Sequence, residues 1–325
     1  MEKAALPPRI SVILPTCNRV QLALDCIASI LQGDYADFEI IVVDQDASRA
    51  LEQALSARFG GDPRIIYHFL DKAALDHARN IGIDLARGQV LVFVDDDVEV
   101  DKAWLRAYVN AFEAICPDPG IIAGRLDPLW LSPPPKWLPE DRKYLFGIYP
   151  ADGTLRPMPE SDLPIGANFA VHHGIIDQVG RFDERLDYSY ARKTSMISGG
   201  DSLFSLKAKQ AGYSIYYQPA ARAWHKLSNR KLTKKYFLAR SFWDGVTLII
   251  VMHLTGSAKR DNALTIARWH SKEIIRQIWH FLLSIIQPDP ESDWSKRGMR
   301  TLSLCANSLG IIYAALKLRQ LGSLP

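Results

Sequence analysis

The chain has 325 residues, 48% of them hydrophobic and 23% charged, with a formal net charge of +3. That is enough for a sizeable core, as one large α/β domain with an appendage or as two modest domains, and too near neutrality for a dedicated nucleic-acid binder. Cys17, Cys26, Cys116 and Cys305 form no C-x-x-C pair and no zinc-ligand spacing, so they read as free thiols in a reducing compartment. The opening MEKAALPPRI lacks the apolar run of a signal peptide, and no window reaches about 18 uninterrupted apolar residues. A cytoplasmic protein is expected.

Taken in order, Ile10 to Pro15 predicts a first strand. Arg19 to Gln32 repeats Leu22, Cys26, Ile27, Ile30 and Leu31 at helical spacing and is closed by Gly33. Phe38 to Asp44 is apolar almost throughout, as a parallel strand covered on both faces would be. A helix over Ala50 to Phe59, a strand at Arg64 to Phe69, a helix from Ala73 to Arg87 and a strand at Val90 to Val94 follow. Asp101 is placed to cap a helix carrying Trp104, Tyr108, Ala111, Phe112 and Ile115 on one face. This β-α alternation predicts an α/β fold with a mixed, mostly parallel central sheet, whose ligands sit beyond the carboxyl ends of the strands.

From Leu126 to Pro164 the texture changes, for this segment holds nine of the chain's 19 prolines. A loop of that length predicts a lid or binding wall. Structure resumes at Ile165 to Val171. A helix spans Ser202 to Ala211, a short strand-like run covers Tyr213 to Tyr217, and everything beyond Leu232 is helical in pattern, with breaks near Gly256 to Asp261 and Gln287 to Asp293. The predicted division is a catalytic domain over 1–230 and a C-terminal helical region over 231–325.

Three features carry chemistry. Asp95-Asp96-Asp97 closes an apolar strand, and Asp101 is better placed for capping, which leaves the triplet without a structural task. On an extended backbone Asp95 and Asp97 would share a side, where two carboxylates suit Mg²⁺ or Mn²⁺ and a substrate phosphate. Gly199-Gly200 delivers Asp201 to a helix start, where the macrodipole favours an ionised carboxylate and where a plain N-cap is the competing reading. His225 stands alone in AWHKL, open to a structural role or a ligand role. His172-His173 is open to acceptor contact.

The segments SVILPTCNR, IIVVDQD, ALDHARNIGIDLARGQVLVFVDDD, GANFAVHH, GGDSLFSLKAKQAGY and WHKLSNRKLTKKYFLARSFWDG resemble, in this order, family 2 glycosyltransferases, the GT-A fold enzymes that use nucleotide-sugar donors. The resemblance covers about Ile10 to Gly245 and implies an inverting mechanism with a divalent metal. It implies that Pro15, Thr16 and Arg19 wall the nucleotide site, that Asp44 reads the base edge (usually uracil), and that Arg79 and Asn80 lie beside base and diphosphate. Asp95 to Asp97 match the DXD motif, with Asp95 towards the ribose, Asp97 on the metal and Asp96 without a clear task. Asp201 matches the general base and His225 a histidine that can complete the metal shell. The chain departs from the pattern at Gly200, where a Glu is common, at Leu203, where a further Asp is common, and at Lys207 in place of an arginine.

A carboxylate at Asp201 would activate an acceptor hydroxyl, while a cation and Arg79 would neutralise the departing diphosphate. The paired acid and nucleophile of a glycosidase is not evident. The expected activity is therefore metal-dependent transfer from a UDP-linked or similar donor to a glycan or lipid-linked hydroxyl in surface or exopolysaccharide synthesis. The rivals are a non-catalytic nucleotide-sugar-binding scaffold and a nucleotidyltransferase-type enzyme. The basic, apolar tail, with Arg230, Lys231, Lys234, Lys235 and Arg240 before VTLIIVMHL, has three readings: a bundle on the catalytic domain, contact with a second copy in a homodimer, or a helix lying on the inner face of an anionic membrane.

Overall fold

Apolar runs at the start of the chain become a parallel ladder because both of their faces are covered. In the computed structural model, which describes residues 9–115, 120–187, 196–286 and 293–321, β1 (Ile10–Thr16) and β2 (Phe38–Asp44) are buried along their whole length. They flank α1 (Val20–Leu31), which turns Ala23, Leu24, Cys26, Ile27 and Ile30 inward. After β2 come α2 (Ala50–Phe59), β3 (Ile65–Phe69), α3 (Leu75–Leu85), β4 (Val90–Val94), β5 (Val98–Val100) and α4 (Trp104–Ala114). Strands β1, β2, β3 and β4 pair in parallel, with Thr16 opposite Asp44 at the carboxyl edge.

The other half of the sheet is antiparallel. It is built from β6 (Ile121–Trp130), β7 (Arg156–Pro157), β8 (Asn168–His172) and β9 (Ile215–Leu227), with α5 (Ile176–Val179) and α6 (Gly200–Gln210) between the last two strands. The sheet order is β3-β2-β1-β4-β8-β6-β9-β5, with β7 also on β9. The architecture is thus mixed α/β, as the alternation predicted. Asn168 ties this half together: its Oδ1 accepts from Trp104 Nε1 (2.8 Å) and Tyr108 Oη (2.7 Å), and its Nδ2 donates to the carbonyls of Arg125 (2.7 Å) and Ala221 (3.0 Å). A buried amide with both ends satisfied fixes one arrangement of the four segments it joins.

Several local expectations change. The Asp95 to Asp97 segment is not extended: Asp96 and Asp97 form the turn between β4 and β5. The alternation that would put Asp95 and Asp97 on one side therefore does not apply. Asp101 precedes the helix rather than capping it; its Oδ1 accepts from Ala103 N (2.9 Å) and α4 starts at Trp104. The short run at Tyr213 to Tyr217 is the start of a 13-residue strand that carries His225. Its alternating, half-buried pattern is broken in sequence by Pro219 and hidden by Arg222 and Lys226. Cys17, Cys26 and Cys305 are free thiols, while Cys116 lies outside the described residues.

The chain clusters into two compact units, Met1–Leu129 with Tyr149–Lys193 and Gly200–Lys226, and Trp130–Ile148 with Thr194–Gly199 and Leu227–Pro325. In the second unit α7 (Lys234–Leu254) and α8 (Ala263–Ile286) each pack along α9 (Trp294–Leu321). Backbones of α7 and α9 touch at glycines. A Cβ on Gly245 would lie 2.1 Å from the Asn307 carbonyl, and one on Gly310 would lie 1.9 Å from that of Phe242. Much of the Pro-rich segment belongs to this unit's core, where Leu138, Leu145, Phe146 and Ile148 are buried with Phe237 and Met299. Lys234–Leu254 and Trp294–Arg319 are long and apolar enough to cross a membrane by length and composition, a test that buried core helices also pass. Uninterrupted apolar runs do not reveal them, because Ser and Gly punctuate both helices, with Arg240 and Asp244 in α7 and Asn307 in α9.

Candidate active site

The triplet turns at the carboxyl edge of the parallel ladder, and its three carboxylates take different partners. Asp96 is buried; its Oδ2 accepts from Thr16 Oγ1 (2.7 Å) and its Oδ1 from Arg19 Nη1 (2.9 Å). Burial pushes its carboxyl up to about 6, the neighbouring charge of Asp97 adds to the rise, and Arg19 opposes both. Arg19 Nη1 also lies 3.4 Å from Asp97 Oδ2, while Asp97 Oδ1 lies 3.2 Å from His225 Nε2. The histidine arrives on β9, whose pairing with β5 sets Val98 opposite His225.

Asp95 turns the other way. Its Oδ1 is 3.4 Å from Arg79 Nη2, and Arg79 Nη1 donates to Asp76 Oδ1 at 3.0 Å. Arg79 Nη2 also reaches the Gly166 carbonyl (3.2 Å), whose own N–H donates to Asp201 Oδ2 at 2.7 Å. Asp201 Oδ1 accepts from Ser202 N (2.8 Å). A side chain at residue 166 would push Arg79 and Asp201 aside, because a Cβ there would stand 2.7 Å from Arg79 Nη2 and 2.9 Å from Asp201 Oδ2. Burial raises the carboxyl of Asp76 to about 7 despite Arg79, with the charges of Asp187 and Asp201 contributing.

The sequence-predicted residues fall into three groups. Thr16, Arg19, Asp96, Asp97 and His225 meet directly, and Pro15 lies in the strand that leads to them. Arg79, Asp95 and Asp201 meet through Gly166. Asp44 lies opposite Thr16 in the β1–β2 ladder with its carboxylate on other partners, and Asn80 turns to Phe182. Asp44 accepts from Tyr67 Oη (3.0 Å) and Asp46 N (3.0 Å), and burial raises its carboxyl. Asn80 is committed to the backbone of Phe182, with Oδ1 accepting from its N–H (2.9 Å) and Nδ2 donating to its carbonyl (3.0 Å). His172-His173 is not at the site. His172 pairs with Val90 at the opposite end of β4, and His173 Nδ1 lies 2.8 Å from the Gly88 carbonyl. Leu203 is a core residue, and Lys207 Nζ lies 3.8 Å from Asp183 Oδ2. Asp76 and Gly166 escaped sequence reasoning. The i, i+3 spacing of Asp76 and Arg79 on one helix face was the available signal.

Asp97 and His225 are the pair that could hold a metal. Their 3.2 Å separation matches neighbouring ligands around a cation with bonds of ~2.1 Å, roughly 3.0 Å apart in an octahedron. Among the described residues no group of three His, Cys, Asp or Glu side chains could hold an ion unaided. A hard cation that keeps phosphate and water in its remaining positions needs no such cage.

A model of the family described as glycosyl transferase family 2 matches residues 11–174, about half of the chain. The chain belongs to glycosyl transferase family 2. It is a glycosyltransferase with the GT-A fold. Among its relatives is the glucosyl-dolichyl phosphate glucuronosyltransferase of Haloferax volcanii, 23% identical over 257 residues, 78% of this chain and 80% of that one. The GalNAc(5)-diNAcBac-PP-undecaprenol beta-1,3-glucosyltransferase of Campylobacter jejuni is 38% identical over 96 residues, but that match spans only 29% of this chain and 31% of the relative. Among solved structures, the mannosyltransferase PcManGT of Pyrobaculum calidifontis with GDP-Man and Mn²⁺ aligns over 99% of this chain and 78% of its own, at a TM-score of 0.52 and 18% identity. GalNAc-T7 with UDP, GalNAc and Mn²⁺ has a TM-score of 0.53 at 16% identity, over 76% of this chain and 51% of its own. At these identities the likeness concerns the fold alone.

Proposed function

We propose that this family 2 glycosyltransferase is an inverting enzyme. It moves a sugar from a nucleotide-diphosphate donor, read as UDP-linked, to a hydroxyl of a lipid-linked or polysaccharide glycan in surface glycan synthesis. The observation that carries the reading is the bridge from Asp95 through Arg79 and Gly166 to Asp201. It sets a donor-side carboxylate and a candidate base around one buried guanidinium. The acceptor oxygen attacks the anomeric carbon, the bond from that carbon to the diphosphate oxygen breaks, and the acceptor proton passes to Asp201. Backbone N–H groups of Gly166 and Ser202 hold the two Asp201 oxygens in place, each with a lone pair left over. Asp97 and His225 would hold Mn²⁺ or Mg²⁺, which supplies charge neutralisation to the departing diphosphate. Relatives named for dolichyl- and undecaprenol-linked substrates support the lipid-linked acceptor.

A lipid-linked acceptor calls for a membrane contact, and α8 fits it better than the basic helix α7. Phe237, Val246, Ile249, Ile250 and Val251 of α7 are buried, whereas α8 exposes Trp269, Ile275, Trp279 and Leu282 beside exposed Arg268, Lys272 and Arg276. Interfacial aromatics beside cations suit an anionic bilayer surface on the cytoplasmic side. Co-sedimentation with phosphatidylglycerol vesicles should be lost in Trp279→Ser/Lys272→Glu; unchanged binding refutes this part.

The transfer reading is tested by screening nucleotide sugars for release of UDP, GDP or dTDP, with Mn²⁺ and with chelator. Asp201→Asn should stop transfer while leaving UDP and Mn²⁺ binding intact. Transfer that survives the substitution excludes Asp201 as the base, and activity indifferent to chelator removes the metal.

A further inference from the structure

Gly200 precedes the proposed base, and its lack of a side chain has a cause in the fold. A Cβ built on Gly200 would lie 2.0 Å from Asp76 Oδ2 and 2.4 Å from Asp76 Cγ. The volume that a side chain at residue 200 would fill is already filled by a carboxylate from α3. Asp76 is 2% exposed, and its Oδ1 accepts from Arg79 Nη1 at 3.0 Å. Nothing about the helix start requires that carboxylate, because the backbone N–H groups of Asp76 and His77 are taken by Asp187, at 2.7 and 3.3 Å. Burial raises its carboxyl to about 7, so at neutral pH and above the charged form is held there by its pairing with the buried Arg79.

Its one described side-chain hydrogen bond is to Arg79. Arg79 is itself 4% exposed; its guanidinium stands 5.4 Å over the Phe182 ring and bonds through its other terminal nitrogen to Asp95 and the Gly166 carbonyl. We propose that Asp76 is a positioning residue of the transferase: lodged in the space denied to residue 200, it fixes Arg79 between Asp95 and Gly166 and so sets Asp201 against the donor side. The role rests on the transfer reading above. A carboxylate supplied from either side of the same space satisfies it, so residues 76 and 200 are interchangeable sources.

Two readouts test this. The first is steady-state transfer with the donor identified by the screen. Asp76→Ala should lower kcat about 10- to 100-fold with the donor KM within about threefold, since Thr16, Arg19, Asp97 and His225 are untouched. Asp76→Ala/Gly200→Asp should recover at least about tenfold of that loss, and Asp76→Ala/Gly200→Ala, which frees the same space without a charge, should not. The second readout is independent of turnover: the ¹⁵N side-chain NMR signals of Arg79 in the full chain. Slow guanidinium rotation is expected in the wild type, lost in Asp76→Ala and regained in Asp76→Ala/Gly200→Asp. Equal kcat or equal guanidinium rotation in the two double variants overturns the proposal. A wild type without turnover on any donor refutes the transfer reading alone, and the NMR comparison then decides the role of Asp76.

Discussion

Two arginines neutralise the aspartates that follow β4, and they are held in different ways. Arg19 reaches in from the start of α1 with its side chain 32% exposed and contacts both Asp96 and Asp97. Arg79 is enclosed, with its side chain 5% exposed and bonds to Asp76, Asp95 and the Gly166 carbonyl. The exposed arginine can leave its partners at little desolvation cost. The enclosed one cannot move without leaving a buried charge unpaired, which makes it a fixed point of the site. The Arg19 cluster is therefore adjustable, while the Arg79 cluster is rigid.

The largest expected effect lies on the adjustable side. Asp97→Ala should cost on the order of 10³-fold in transfer, read as nucleotide release, and should remove the dependence on added Mn²⁺. Persistence of that dependence would assign the metal elsewhere. On the rigid side, Gly166→Ala drives a methyl between Arg79 and Asp201 and should lower kcat by about 10- to 100-fold, with the loss in melting temperature confined to a few degrees. A variant that melts far lower at full specific activity would make Gly166 a folding residue only. Arg19→Ala should raise the donor KM and destabilise the fold by about 1–3 kcal/mol, because Asp96 stays buried without its cation. Chemical denaturation measures the second effect.

The smallest effect is in pH. Asp76 titrates at about 7 in the folded protein against an ordinary 3.8. Between those values the folded chain holds a proton that the unfolded chain has released. Its contribution to stability is therefore full below about pH 4, falls as pH rises and is gone above about 7. Asp76→Asn should flatten the decline in melting temperature from pH 5 to 8 relative to wild type. Parallel curves for the two proteins would place the raised carboxyl elsewhere.

The parallel half of the fold was legible because strands covered on both faces are written as nearly continuous apolar runs, as in FEIIVVD, and the candidate site residues begin where they end. Thr16, Arg19 and Asp95 to Asp97 could be read from those ends. The antiparallel half was not, since β9 mixes buried and half-exposed positions and carries Pro219, Arg222 and Lys226 within one strand. Helical character at the C-terminus was visible, but which helix exposes its apolar face was not. Trp269, Ile275, Trp279 and Leu282, which α8 turns to solvent, are as apolar as the residues α7 buries.

The amino-acid order by itself determined the β-α alternation, the acidic turn after β4 and the carboxylate at the start of α6, because each is a local pattern of polarity and backbone preference. Tertiary structure alone decided that Asp76 fills the space beside Gly200, that Arg79 joins Asp95 to Gly166, and that His225 meets Asp97. These contacts join segments remote in the chain, and packing at close range, rather than any local preference, selects which carboxylate occupies which volume.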